Sequence, residues 1–323
     1  MNTEPSVKPE PPKPPEKRRK KKRRLGLKIT IAVIVFFLLG AGLYVFSVYQ
    51  AVTDTMNKTQ HPLNRTVSQY RGKTVNLAKK EPLTILLLGV DQRANDRGRT
   101  DSLILLTVNP ADETVKSVSI PRDTYVEIAG KEKKDKINHA YSYGGIDTSV
   151  QSVEHFLDVP IDYYVEVNMD GFKDIVDAVG GVTVTNRFAF SYEGEHYAKG
   201  QLTLNGERAL KYSRMRKLDP KGDFGRQERQ RQILEQVIHE GASVKSLTHY
   251  GRILDAIGNN VKTNLTFDEM RAIQSNYKTA SRHFDQVNIN GSGKTVDGVY
   301  YYFVPDSERT RLSQSLRDEL NIK

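Results

Sequence analysis

The feature that most constrains this chain is a run of twenty uncharged residues, Ile29–Val48, standing just after KRRKKKRR at positions 17–24. A helix rises about 1.5 Å per residue, so such a run crosses the roughly 30 Å hydrocarbon core of a bilayer. The pattern predicts one transmembrane helix over residues 25–48, with Lys28 its only charge. A cleaved signal peptide fits less well, because the apolar stretch is long and no small-x-small site follows it cleanly. The basic cluster before the span places the N-terminus in the cytoplasm by the positive-inside rule. The expected topology is single-pass type II in the plasma membrane: a disordered cytoplasmic tail at 1–24, rich in proline and lysine, and everything from about Tyr49 outside.

That arrangement changes the meaning of the net charge. The chain carries +10 overall. Residues 1–28 hold eleven lysines and arginines against three glutamates, so +8 belongs to the tail and its flank and only +2 to the rest. A nucleic-acid-binding domain would be basic in bulk, with aromatics threaded through its basic stretches. Neither holds for the external part, and no nucleic-acid partner is expected. There is no cysteine, which excludes thiolate catalysis, thiolate metal sites and a disulfide scaffold.

Residues 49–80 are polar and mixed and read as a stalk or first helix. From there to residue 323 the chain is long enough for one large domain with its own core. TILLLGVD (84–91), SLILLTVN (102–109) and VKSVSIP (115–121) read as buried strands, with a turn at NPADET between the second and third. DTSVQSVEHFLDV (147–159) reads as helix, YYVEVN (163–168) as strand, and MDGFKDIVDAVGG (169–181) as a helix closed by glycines. GVTVT, FDQVNI and GVYYYFVP supply further strands; GERALKYSR, RQERQRQILEQVIHE and the segment from Ser307 supply helices. Strands and helices alternate without internal repeats. The fold class is therefore α/β, a mixed central β-sheet flanked by helices and preceded by one transmembrane helix.

Two clusters carry the chemistry. In GVDQRANDRGRTDS, Asp91 closes one strand and Asp101 opens the next. If the two strands are antiparallel neighbours, both carboxylates lie at one sheet edge, and a third strand running back brings Pro121-Arg122-Asp123 to the same edge. Arg99 and Asp101 are two apart and share a face when extended. Hard carboxylate oxygens suit Mg²⁺ and guanidinium forks suit phosphate oxygens. The same residues also fit loop-capping aspartates with surface arginine partners.

The second cluster is KYSRMRKLDPKGDFGRQERQRQ, 211–232. Arg226, Gln230, Ile233, Leu234 and Val237 follow helical spacing on one face, so Arg226 and Gln230 point inward with the apolar residues. They do so at a helix N-terminus, which already favours anions. Arg229 borders this face, whereas Arg231, Lys217 and Lys221 read as solvated charge. Arg214 and Arg216 can point together if extended. A charge run is usually a solvated face, but an inward guanidinium needs an anion. KINHAYSYGG (136–145) holds a Lys, an Asn and a His that could serve the site or shape a loop. NINGSGKT (288–295) ends like a phosphate-binding loop but has Asn288 where the first glycine belongs and a strand where the helix belongs; it reads as a hairpin turn.

LLGVDQR, GRTDS, SIPRD, KINHAYSYGG, VGGV, ALKYSRMR and DFGRQERQ, in that order, resemble the LytR–CpsA–Psr family, within it the wall teichoic acid transferases of Gram-positive bacilli. The resemblance covers roughly 82–240 and implies an external catalytic domain over 81–323. It implies a phosphotransferase that moves an anionic glycopolymer from an undecaprenyl-pyrophosphate carrier to the 6-hydroxyl of N-acetylmuramic acid in peptidoglycan. Partners would be the lipid-linked polymer, the peptidoglycan acceptor and the membrane. By motif, Asp91 and Asp101 would hold Mg²⁺, with Mn²⁺ as a substitute. Arg99, Arg122, Arg214, Arg216, Arg226 and Gln230 would bind the pyrophosphate, with Arg99, Arg122 and Asp101 central to catalysis. Arg93 transfers less firmly, since the loop between the aspartates varies in length. Asp123 and Asp223 are candidates, by proximity alone, for the group that takes the acceptor proton. Other readings of the same site are attachment of capsule or a teichuronic-type acid, pyrophosphatase action, or a non-catalytic sensor or transcriptional attenuator that binds lipid pyrophosphates.

Overall fold

A computed structural model describes residues 50, 54, 58–91, 98–243, 258 and 260–322, with the main chain alone at 241–243 and 281. The expected membrane span and cytoplasmic tail lie outside the described residues. The chain divides into two units, Met1–Val52 and Thr53–Lys323, and all the described strands belong to the second. Its elements run β1 (Leu83–Asp91), β2 (Arg99–Asn109), β3 (Thr114–Ser119), β4 (Tyr125–Glu127), β5 (Lys134–Lys136), α1 (His139–Leu157), β6 (Tyr163–Asn168), α2 (Met169–Ala178), β7 (Val182–Asn186), β8 (Phe190–Tyr192), β9 (Glu195–Tyr197) and β10 (Gly200–Leu204). Then follow α3 (Gly206–Arg214), α4 (Asp223–Ser243), β11 (Val261–Thr263), α5 (Phe267–Asn276), β12 (His283–Val287), β13 (Ser292–Val296), β14 (Val299–Phe303) and α6 (Asp306–Glu319).

Six strands form the central sheet in the order β11-β6-β1-β2-β3-β12. β1, β2 and β3 are successive antiparallel neighbours, whereas β6 and β12 add in parallel, so the sheet is mixed as expected. The near-continuous apolar runs of β1 and β2 follow from burial on both faces. One face sets Leu86, Leu88, Leu103, Leu105 and Val118 in a cluster with Val150, Val153 and Leu157 of α1 and Leu312 and Leu316 of α6. The other sets Leu83, Ile104, Leu106, Val108 and Val115 against Leu265, Tyr277 and Ala280.

A third cluster, with Val182, Val184, Phe190, Tyr197 and Tyr212, lies off the sheet between the β7–β10 pair and α3. Helix α4 ties it to the sheet. Ile233 and Val237 pack into this cluster, while Leu234 and Ile238 pack into the one on the sheet. The apolar stripe of α4 thus faces two cores at once, which fixes its N-terminal end over the sheet edge.

Several elements differ from expectation. α1 begins at His139, eight residues early, and carries a kink at Gly144 and Gly145 that local pattern does not announce. α4 begins at Asp223, which puts Asp223 and Phe224 on the helix. Residues 60–80, expected in a stalk or first helix, run without helix against the domain. There Arg65 pairs with the buried Glu154, whose Oε1 also accepts from Ser68 Oγ at 2.6 Å. Arg71 Nη2 donates to Asp162 Oδ2 at 2.8 Å. Charge contacts with partners some 90 residues away decide the course of this segment, and no local periodicity records them. Finally, NINGSGKT is not the hairpin turn: its second half is β13, and the turn is Asp297-Gly298, where φ is 49° and 77°. Two consecutive positive φ values explain an Asp-Gly pair there.

Candidate active site

The edge formed by the end of β1, the start of β2 and the turn after β3 carries the charged cluster. β1 and β2 pair residue for residue until Gly89 meets Ser102 and Val90 meets Thr100. Asp101 is the extra residue of a β-bulge, a device that re-aims a side chain and frees its backbone from the ladder. Both consequences are visible. The Asp101 carboxylate accepts from Arg122 Nη1 at 2.7 Å, and its carbonyl accepts from Arg226 Nη2 at 3.2 Å.

Arg122 is held by its turn. Thr124 N and Oγ1 both donate to Pro121 O, at 2.9 and 2.6 Å, and Asn138 N donates to Arg122 O at 3.2 Å. Lys136 of β5 donates to Asp123 Oδ1 at 2.7 Å, and Arg122 Nε lies 3.7 Å from Asp123 Oδ2. Of the Lys, Asn and His in KINHAYSYGG, Lys136 therefore reaches the cluster directly and Asn138 supports it through the backbone, while His139 pairs with Asp135 at 3.1 Å.

From the other side come the first turns of α4. Arg226 is only 7 % exposed and lies 2.9 Å from Asp223 Oδ1. Gln230 Oε1 accepts from Ser102 Oγ at 3.2 Å. The inward helix face read from the sequence is thus the face that meets Asp101.

The two arginines differ in their electrostatics. Burial draws the Arg122 guanidinium down, but Asp101, through its charge and hydrogen bond, together with Asp123 and Asp223, holds it above the ordinary arginine value. Arg226 falls below that value because burial dominates; Asp223 opposes this, and the cations Arg122 and Arg216 push it further down. Arg122 Nε and Arg226 Nε are buried without a hydrogen-bond partner among the described residues. Guanidinium N–H groups left without a hydrogen bond are ones that a phosphate oxygen would satisfy.

The remaining expected residues stand further out. Asp91 and Arg99 face each other across the β1–β2 ladder, at the same edge as Asp101, and Arg99 is exposed. Arg216 acts on Arg226 by its charge, whereas Arg214 is exposed and lies 3.7 Å from Glu193. Arg93 lies outside the described residues.

Arg231 departs from expectation, and Arg229, expected to border the inward face, is buried by other partners. Arg231, expected to be solvated, is 8 % exposed, and its guanidinium meets the side-chain amide of Gln286 on β12, whose oxygen is assigned to face it. Arg229 is 5 % exposed, pairs with Asp219 and donates from Nε to Tyr212 O at 2.9 Å. It is a fastener of the loop before α4, not a ligand-facing cation. Because α4 is covered on two sides, residues that one amphipathic stripe would leave in water are buried here.

The donor set also suits a divalent cation. Mg²⁺ commonly takes one or two carboxylates, completing its shell with phosphate oxygens and water. Asp91 and Asp101 offer two hard carboxylates at one strand edge, and no group of three or more ligating side chains occurs among the described residues.

Known proteins resemble this chain over most of its length. The LytR_cpsA_psr family matches residues 43–318. A protein of Bacillus cereus (strain AH820) named polyisoprenyl-teichoic acid–peptidoglycan teichoic acid transferase TagU is 53 % identical over 287 residues, covering 88 % of this chain and 94 % of its own. Among solved structures, a transcriptional regulator from Enterococcus faecalis superposes with a TM-score of 0.71 at 37 % identity, over 77 % of this chain and 92 % of that one. TagT bound to LI-WTA gives 0.70 at 32 % identity, over 81 % of this chain and all of that one. The chain belongs to the LytR–CpsA–Psr family.

Proposed function

We propose that this protein is a phosphotransferase that moves wall teichoic acid from an undecaprenyl-pyrophosphate carrier to the 6-hydroxyl of N-acetylmuramic acid in peptidoglycan. The observation that carries the reading is the pair of buried, unsatisfied guanidinium N–H groups, Arg122 Nε and Arg226 Nε, beside the Asp101 bulge. A diphosphate seated there accepts from both arginines, with Gln230 and Arg216 at its margin. Arg99, exposed at the same sheet edge, meets the outer phosphate oxygens, and Arg214 joins it by the motif resemblance alone.

In the reaction the acceptor oxygen attacks the phosphorus that bears the glycopolymer. The new P–O bond forms as the bridging P–O bond of the pyrophosphate breaks, and undecaprenyl phosphate leaves with the bridging oxygen. The hydroxyl proton passes to a carboxylate beside the cluster, Asp123 or Asp223. Phosphoryl transfer asks mainly for positioning and charge neutralisation, and fixed guanidinium groups supply both without reorganising. Asp91 and Asp101 would hold Mg²⁺, which neutralises phosphate charge when bound. Carboxylates inside an arginine cluster favour this reading over a sensor, since anion capture alone has no use for them. The pyrophosphate supplies the free energy, and the span at 25–48 would keep the site near a substrate whose tail stays in the membrane.

The test incubates the full-length protein with lipid-linked teichoic acid, peptidoglycan and Mg²⁺ or EDTA, and identifies products by mass. Polymer joined to peptidoglycan through a phosphodiester, with release of undecaprenyl phosphate, is the expected result. Release of free polymer phosphate would make the protein a pyrophosphatase; tight binding without turnover would make it a sensor.

A further inference from the structure

The β13–β14 hairpin is out of keeping with its surroundings. Every residue of β13 is exposed, yet the opposing strand reads Val-Tyr-Tyr-Tyr-Phe. Tyr300 is 48 % exposed, and Phe224, in the first turn of α4, is 45 % exposed. Neither ring stands alone. Tyr302, on the same face of β14 as Tyr300, packs edge-on against Phe224 with ring centroids 5.6 Å apart.

The rings are seated on glycines. A Cβ at Gly293 would lie 2.6 Å from Tyr300 Cε2, and one at Gly291 would lie 2.8 Å from Tyr302 Cε1. Bare backbone at those two positions lets the tyrosine rings lie against β13. The glycines of NINGSGKT therefore serve to seat aromatic rings, which accounts for a motif that phosphate binding does not explain.

The shelf is continuous with the charged cluster. Tyr302 N donates to Asp123 O at 2.8 Å, in the same turn as Arg122. Phe224 follows Asp223, the partner of Arg226. The Tyr300 hydroxyl is raised by burial first and then by the charges of Asp123 and Asp223, two carboxylates that also act on Arg122.

We propose that Tyr300 and Phe224 form a saccharide-binding shelf that presents the acceptor glycan strand to the cluster. The proposal rests on the transfer reading above: with the diphosphate on Arg122 and Arg226, the attacking hydroxyl must come within about 3–3.5 Å of phosphorus, so the ring that bears it lies beside the cluster. A pyranose has an apolar C–H face and a polar rim. Flat aromatic rings that are pre-seated, and so lose little freedom on binding, suit the face, and the carboxylates of Asp123 and Asp223 suit the rim hydroxyls. An isoprenoid chain would need continuous apolar walls, and carboxylates border this shelf instead.

The test uses full-length protein in detergent, lipid-linked polymer as donor and uncrosslinked glycan strands as acceptor. Tyr300→Ala and Phe224→Ala are each expected to raise the acceptor KM by about three- to tenfold, the worth of one aromatic contact, with the donor KM unchanged. Tyr300→Phe keeps the ring and is expected to stay close to wild type. Thermal melting checks that the variants fold. A rise in donor KM alone would assign the shelf to the lipid or its polymer, and no change in either KM would leave it without a role; both outcomes overturn the proposal. A second arm, cosedimentation with purified sacculi and no donor, separates the two readings. Loss of sacculus binding in the Tyr300→Ala/Phe224→Ala variant, in a protein that transfers nothing, supports the shelf and sinks the transferase. Normal transfer and sacculus binding by that variant do the reverse.

Discussion

Arg122 Nη1 and Asp101 Oδ1 meet at 2.7 Å because a β-bulge turns Asp101 out of the β1–β2 ladder just where the turn after β3 delivers Arg122. The pair is partly open to solvent, with side chains 23 % and 36 % exposed, so its worth to stability is small. Its value is orientation: the carboxylate aims the guanidinium fork while Arg122 Nε is left without a hydrogen-bond partner among the described residues.

Arg122→Ala is therefore expected to reduce kcat for polymer transfer by about 10²–10³-fold, as for loss of one fixed donor to a developing charge. The melting temperature should change little. Arg122→Lys is expected to recover only part of the rate, since an ammonium cannot reproduce a planar fork. Steady-state kinetics with lipid-linked donor measure both.

EDTA is expected to abolish transfer, and added Mg²⁺ or Mn²⁺ to restore it. Asp91→Ala is expected to raise the metal concentration needed for half-maximal rate, because one of two hard ligands is lost. Metal titrations of rate check this, and an unchanged titration in that variant would remove Asp91 from the metal site.

Arg229→Ala is expected to destabilise the fold by about 3–5 kcal/mol, since it strands the Asp219 carboxylate in a buried setting. Asp219 has a side chain only 4 % exposed, and its carboxylate packs against Gly225, where an added Cβ would collide with it. Denaturant unfolding gives the value. Replacing the pair together with apolar residues of similar size should recover most of the loss.

Glu308 supplies a pH dependence away from the site. Hydrogen bonds from Arg311, at 2.7 and 2.8 Å, and the backbone bond from Asn290 N, at 2.8 Å, hold its carboxyl at about 2, below the ordinary 4.5. A depressed carboxyl contributes stability that is complete above the unfolded value and lost as pH falls through the folded one. Glu308→Gln is expected to lower stability at neutral pH, with the gap to wild type closing between about pH 4.5 and about pH 2. Thermal melts across that range read it directly.

Part of the site was legible in the sequence. The strand runs of β1, β2 and β3 and the turn between the last two suffice to bring Asp91, Asp101 and Arg122 to one edge. Helical spacing alone turns Arg226 and Gln230 inward with Ile233. The bulge at Asp101 was not legible, because a bulge exists only against a partner strand. Nor was the burial of Arg231, because nothing local to α4 reveals that its flank is covered as well.

The sequence by itself determined the alternation of elements, the inward face of α4, the order of motifs and the family they mark, since each depends on side-chain periodicity or spacing within a single segment. Only the tertiary structure decided which charges are paired, which are left facing one another, and where the exposed tyrosines stand. Those outcomes rest on contacts between segments 21 residues apart for Asp101 and Arg122 and 125 apart for Asp101 and Arg226. Coulomb and hydrogen-bond energies reach only a few ångströms at full strength, so they are set by packing and not by proximity along the chain.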